Sequence, residues 1–130
     1  MLRIKRIYRE VSDDDGYRIL VDRLWPRGIS KEKAHIDYWA KEIAPSNSVR
    51  KAFNHEPEKY EDFKKAYMLE LDKNRVSQEA CDFLNLIRDK LCDGNVTFLF
   101  GAKNREMNQA VVLKEWIEKI REVMVIQSPK

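Results

Sequence analysis

Apolar residues fall in two rhythms along this chain. Near the start, basic Arg3 and Lys5 alternate with Ile4, and Ile7 and Tyr8 follow, which predicts a short first strand with one buried face. Asp13-Asp14-Asp15-Gly16 breaks it. The run YRILVDRL, Tyr17 to Leu24, is apolar and β-branched at its centre and predicts a buried second strand, ended by Pro26 and Gly28. VTFLFG, residues 96–101, predicts a third strand buried on both faces.

Elsewhere the rhythm is helical. Ser30 is the expected N-cap of a helix whose face carries Ile36, Trp39, Ala40 and Ile43, stopped by Pro45. Ser46 caps a short turn that presents Val49 and Phe53. Pro57 suits the first position of a longer helix with Tyr60, Phe63, Tyr67 and Leu71 as its stripe. Ser77 opens another, with Ala80, Leu84, Ile87 and Leu91 on one side and Gly94 just past its end. Asn104 is the expected cap of the last helix, whose face holds Ala110, Leu113, Ile117, Ile120 and Met124, and a frayed tail is expected from Gln127.

That order of elements predicts an α/β fold. A single three-layer α/β/α domain over residues 1–126 is expected, with a small, mostly parallel sheet and about five helices. The first connection is short for a parallel crossover, so the pairing of the first two strands stays open.

Composition narrows the picture. A chain of 130 residues suits one domain burying roughly two-thirds of its unfolded surface. Its 36% charged content, above the usual ~25%, implies a heavily solvated exterior. The longest apolar runs, Ile19–Val21 and Val96–Gly101, fall far short of the ~20 residues of a membrane span, and no apolar stretch follows the basic start MLRIKRIYRE. No membrane partner is expected, and the cytoplasm is the expected location. Cys81 and Cys92 sit about 16 Å apart on one predicted helix, too far for a disulfide, and are expected to be reduced core residues. Oligomeric state leaves no mark on this pattern.

Net charge is only +3, so nucleic acid is the weaker partner class. The distribution is more telling: Arg3, Lys5, Arg6 and Arg9 open the chain, and Arg18, Arg23, Arg27, Lys31 and Lys33 follow. In open α/β sheets ligands bind beyond the carboxyl ends of strands, where loops diverge and helix N-termini converge. The second strand delivers Asp22, Arg23, Trp25 and Arg27 to that level, and the third delivers Lys103, Asn104 and Arg105. Were those strands parallel neighbours, up to four cations and a carboxylate would share one crevice. Arginine's planar fork grips phosphate, sulfate or carboxylate in two places, so an anionic, phosphorylated or nucleotide-like small molecule is the expected ligand. Asp22 would orient an arginine or accept a hydroxyl, and Trp25 would stack on a ring. The competing structural reading pairs Asp22 with an arginine, uses Trp25 to close the core and lets Pro26–Gly28 merely turn the chain.

Recognisable catalytic patterns are missing. GAKNREMN lacks the second glycine and Gly-Lys-Ser/Thr ending of a P-loop, and neither G-x-S-x-G nor H-E-x-x-H occurs. Two histidines and two separated cysteines form no zinc framework, so neither metal nor cofactor is expected. His55, just before a helix, is the candidate proton carrier. An alternative reading is therefore a hydrolase or transferase on a phosphorylated substrate with Asp22 or His55 as base; a nucleic-acid-binding module on the basic first strand is the third.

Four blocks, DGYRILVDRLWPRG (15–28), KEIAPS with VRKAF (41–53), HEPEKYEDFKKAY (55–67) and AKNREMNQAVVLKEW (102–116), resemble the YeaO-like proteins of domain of unknown function family 488. The resemblance spans almost the whole chain, and DRLWPRG is its most specific part. It implies a three-layer α/β/α domain and carries no reaction with it. Larger relatives place a Cys-His-Arg cluster where this chain has Asn108, Gln109 and Ala110, and a histidine is common at Met107. Those departures remove thiol and imidazole chemistry, whereas Asp22, Arg23, Arg27, Lys103 and Asn108 still match the crevice the resemblance implies.

Overall fold

The computed structural model describes residues 1–127, with side chains described through Arg121. Four strands, β1 (Leu2–Arg6), β2 (Tyr17–Leu20), β3 (Tyr38–Trp39) and β4 (Val96–Phe100), form one all-parallel sheet in the order β1-β4-β2-β3. Five helices complete the α/β fold: α1 (Lys31–Ala34), α2 (Asn47–Phe53), α3 (Tyr60–Asn74), α4 (Gln78–Asp93) and α5 (Gln109–Gln127). The open pairing question is resolved by β4, which lies between β1 and β2 and is buried at all five residues.

The pleat sorts residues between two unequal faces. Ile19, Val21, Val96, Phe98 and Phe100 join the main core with Phe63 and Tyr67 of α3, Phe83 and Ile87 of α4, and Leu113 and Ile117 of α5. On the other face Ile7, Leu20, Leu99 and Ala34 form a smaller core under Trp25, Ile29, Ile36 and Trp39. One helical turn and two tryptophans make up most of this thinner layer, their rings meeting edge-on at 5.4 Å. The stripe Tyr60, Phe63, Tyr67, Leu71 is buried as its spacing predicts, and Ser30, Ser46 and Ser77 each accept a backbone N–H as caps.

Below the small core, at the N-terminal end of β2, the thinner face holds a buried ionic cluster. Arg18, only 4% exposed, donates to the Asp15 carboxylate, which also takes Lys5 Nζ at 3.0 Å and the Ser12 N–H at 3.0 Å. Its remaining donors reach the carbonyls of Ala34 (2.9 Å) and His35 (3.1 Å).

Those two bonds overturn the helix expected from Ser30 to Pro45. Arg18 caps the carbonyls that would have continued α1, His35 turns left-handed at φ 47°, and the chain runs out as β3 beside β2. Trp39 then packs on the thinner face instead of on a helix stripe. Cys81 and Cys92 are exposed, not core residues: α4 buries Ala80, Phe83 and Ile87, and both cysteines sit off that stripe. The last helix is capped four residues later than expected. Asn108 Oδ1 accepts the Ala110 and Val111 N–H groups at 2.9 and 3.1 Å, while Asn104 closes its own turn on Glu106 and Met107. Gln127 ends α5; residues 128–130 and the side chain of Met124 lie outside what is described. Among the described residues no helix is long and apolar enough to cross a membrane.

Candidate functional site

β2 and β4 are parallel neighbours whose exits diverge. After β2 the chain turns to α1 on the thin face, and after β4 it turns to α5 on the thick one. Such a switch point opens a crevice at the carboxyl ends of the strands. A cavity of about 430 Å³ lies there, lined by Asp22 to Arg27 from β2's exit, Gly101 and Ala102 from β4's, and Gln109 from the first turn of α5. Tyr8, Arg50, Phe53, His55 and Phe63 close the remaining sides.

Among the described residues, Asp22 is the one carboxylate in this lining. Its Oδ2 accepts the Gly101 N–H at 2.9 Å and its Oδ1 accepts Gln109 Nε2, so one carboxylate ties β2, β4 and α5 together. Gly101 lets the two come this close: a Cβ there would stand 3.0 Å from Oδ2 and 3.3 Å from Pro26 Cβ, so the Asp22 carboxylate would have to give by a few tenths of an ångström. Burial pushes the Asp22 carboxyl up to about 6, against the pull of the Gly101 N–H, Gln109 and the Arg50 charge.

The arginines divide by what they hold. Arg23 donates to the carbonyls of Pro45 (2.7 Å) and Ala44 (3.2 Å), so its fork latches the segment before α2. Arg27 is exposed, its own carbonyl accepting the Tyr8 hydroxyl at 2.6 Å. Arg50 reaches Asn47 through Nη2, while its Nε is buried with no hydrogen-bond partner among the described residues. Trp25 gives its indole N–H to Ile29 O at 2.8 Å and presents its ring as a wall.

The crevice thus gathers Asp22, Arg23, Trp25 and Arg27 of the residues expected from sequence, and leaves Lys103, Asn104 and Asn108 outside its lining. Asn108 is fully buried, with Nδ2 on Asn104 O at 2.8 Å and Oδ1 spent on the helix cap. In return the fold brings in Tyr8, Arg50 and Gln109, which pattern reading did not assign to the site, and His55, which it treated only as a proton carrier. Arg50 lies on the short helix that Ser46 caps, in the block VRKAF, and that block was the one available signal for it. Among the described residues no group of three or more His, Cys, Asp or Glu could hold a metal ion.

A family model described as the inactive DUF488-N3 subclade matches residues 1–126. The chain belongs to this DUF488 family. It is 40% identical over 119 residues to "Uncharacterized protein YeaO" of Escherichia coli K12, covering 92% of this chain and 98% of that one. "Uncharacterized protein Mb3100c" of Mycobacterium bovis is 41% identical over 78 residues, 60% of this chain and 66% of its own length. No solved structure matches.

Proposed function

We propose that residues 1–126 act as one cytoplasmic, non-catalytic domain that binds an anionic, phosphorylated small molecule in the crevice of this DUF488 subclade member. The reading rests on one observation: three arginines and a histidine line the cavity around a single carboxylate already engaged by Gly101 and Gln109. Asp22 therefore consumes little of that positive charge directly. Arg27 is exposed and Arg50, which lines the cavity, gives only Nη2 to Asn47, so these two guanidinium groups are the ones left to meet an anion, and a charge-assisted bond to phosphate is about twice as strong as a neutral one. Trp25, Phe53 and Phe63 supply an apolar wall for the rest of the ligand. The subclade's description as inactive supports binding over turnover, in line with Asn108, Gln109 and Ala110 standing where a Cys-His-Arg cluster would carry chemistry.

A thermal-shift series with sulfate, inorganic phosphate and nucleoside monophosphates tests this. Ligand at about 100 times its dissociation constant should add ~2.7 kcal/mol, a rise of several degrees. Arg27→Ala and Arg50→Ala should each remove most of it. Stabilisation that survives both substitutions would place the ligand elsewhere.

A further inference from the structure

A second cavity, of about 780 Å³, lies along the open edge of the sheet and is lined by Arg3, Lys5, Arg6, Arg9 and Arg105. Lys5 is neutralised by Asp15, and Arg6 is tied through Nε and Nη2 to the carbonyls of Ala102 and Gly101. Arg9 and Arg105 are exposed and form no ion pair among the described residues. Three acids, Glu10, Asp14 and Asp15, share the lining with these five cations; Asp15 is spent on Lys5 and Arg18, which leaves Glu10 and Asp14 against the exposed Arg9, Arg105 and Arg3, the last with Nη1 on Asp14 O at 3.0 Å. Basic residues on an edge strand are a common guard against edge-to-edge pairing. Arg105 does not fit that explanation, because it comes from the loop after β4 and still faces the same trough.

Tyr8 joins this trough to the crevice. It lines both cavities, donates its hydroxyl to Arg27 O, lies under the Arg6 guanidinium at 4.9 Å, and remains 42% exposed. A free phosphorylated metabolite would use the crevice and ignore the trough. An aromatic ring between two cationic cavities is what a single strand of nucleic acid uses, with bases stacked and phosphates tracked by cations.

We propose that the crevice takes the phosphorylated end of a single-stranded nucleic acid whose next phosphates run along β1 over Arg9, Arg105 and Arg3. The proposal rests on the anion-binding reading of the crevice and extends it to a polymer.

Fluorescence anisotropy with a short 5′-phosphorylated DNA strand, competed by adenosine monophosphate, separates the two. The strand should bind roughly tenfold more tightly than the mononucleotide at low salt, with a log-log salt slope near −2, about 0.7 for each of three phosphates. Replacing both Arg9 and Arg105 by Ala should erase that advantage and leave mononucleotide binding unchanged; Arg27→Ala should weaken both ligands. Melting curves of the unliganded variants check that these exposed substitutions leave the fold intact. Equal affinity of strand and mononucleotide overturns the polymer proposal while the crevice reading stands. Retention of the advantage without Arg9 and Arg105, strand binding that Arg27→Ala leaves intact, or equal displacement by polyglutamate also overturns it. Failure of strand and mononucleotide alike removes both readings.

Discussion

Asp15 and Asp22 flank the same strand, yet their surroundings are opposite. Asp15 lies before β2 and meets two cations, Lys5 and Arg18, with the Ser12 N–H as a third donor. Asp22 lies beyond β2 and meets only neutral donors at bonding distance, the Gly101 N–H and Gln109. Burial raises both carboxyls, but at Asp15 the Ser12 N–H, Lys5 and Arg18 outweigh it and hold the group below its usual value. At Asp22 burial wins. One end of the strand satisfies its charges internally and is architecture; the other sets Arg27 and Arg50 beside a partly compensated acid, the arrangement on which the proposed binding rests.

The largest effect should come from breaking the internal cluster. Arg18→Met leaves the buried Asp15 carboxylate with only Lys5 and the Ser12 N–H and strips the Ala34 and His35 carbonyls of their donor, and should cost about 3 kcal/mol in urea unfolding. Asp22→Asn removes the titrating group and keeps an oxygen for the Gly101 N–H, while its NH2 obliges Gln109 to turn its amide, so the pH dependence of the difference from wild type is the readout. With a folded value near 6 and an unfolded value near 3.8, the folded protein binds more protons between them, so the Asp22 contribution to stability falls as pH rises through that window. The variant should therefore gain on the wild type by up to about 3 kcal/mol between pH 4 and 7. Asp15 has the opposite sign: its contribution is present above the ordinary carboxylate range and is lost as pH falls below it, so acid unfolding should start from that end.

Two arginines of one sequence block sharpen the contrast further. Arg23→Ala removes charged donors from Ala44 and Pro45 and should cost about 2 kcal/mol. Arg27→Ala should change stability by less than about 0.5 kcal/mol, measured without ligand, because the side chain is exposed and holds nothing in the fold. Equal losses at both positions would mean that Arg27, like Arg23, serves structure.

The sequence made legible whatever depends on local pattern. Caps at Ser30, Ser46 and Ser77, the stripe of α3, the buried β4 and the charged exit of β2 all follow from near neighbours in the chain. The end of α1 and the existence of β3 do not, because both are imposed by Arg18, a residue 16 and 17 positions before the carbonyls it caps. Periodicity through Ile36, Trp39, Ala40 and Ile43 mimicked a helix over that break. The same limit applied to the site. Asp22, Arg23, Trp25 and Arg27 are contiguous and could be read together, whereas Arg50, His55 and Gln109 reach the crevice only through the packing of α2, α3 and α5 around the strand ends.

Carbon-13 NMR titration of the aspartate carboxyls, with and without sulfate, tests the contrast most directly. Asp22 should titrate near 6 and Asp15 below the ordinary range, and sulfate should move the Asp22 midpoint upward, because an anion nearby disfavours its charged form, while leaving Asp15 in place. Two aspartates titrating together near the ordinary value, or an Asp22 midpoint indifferent to saturating sulfate, would contradict the assignment of β2's far end as the binding end.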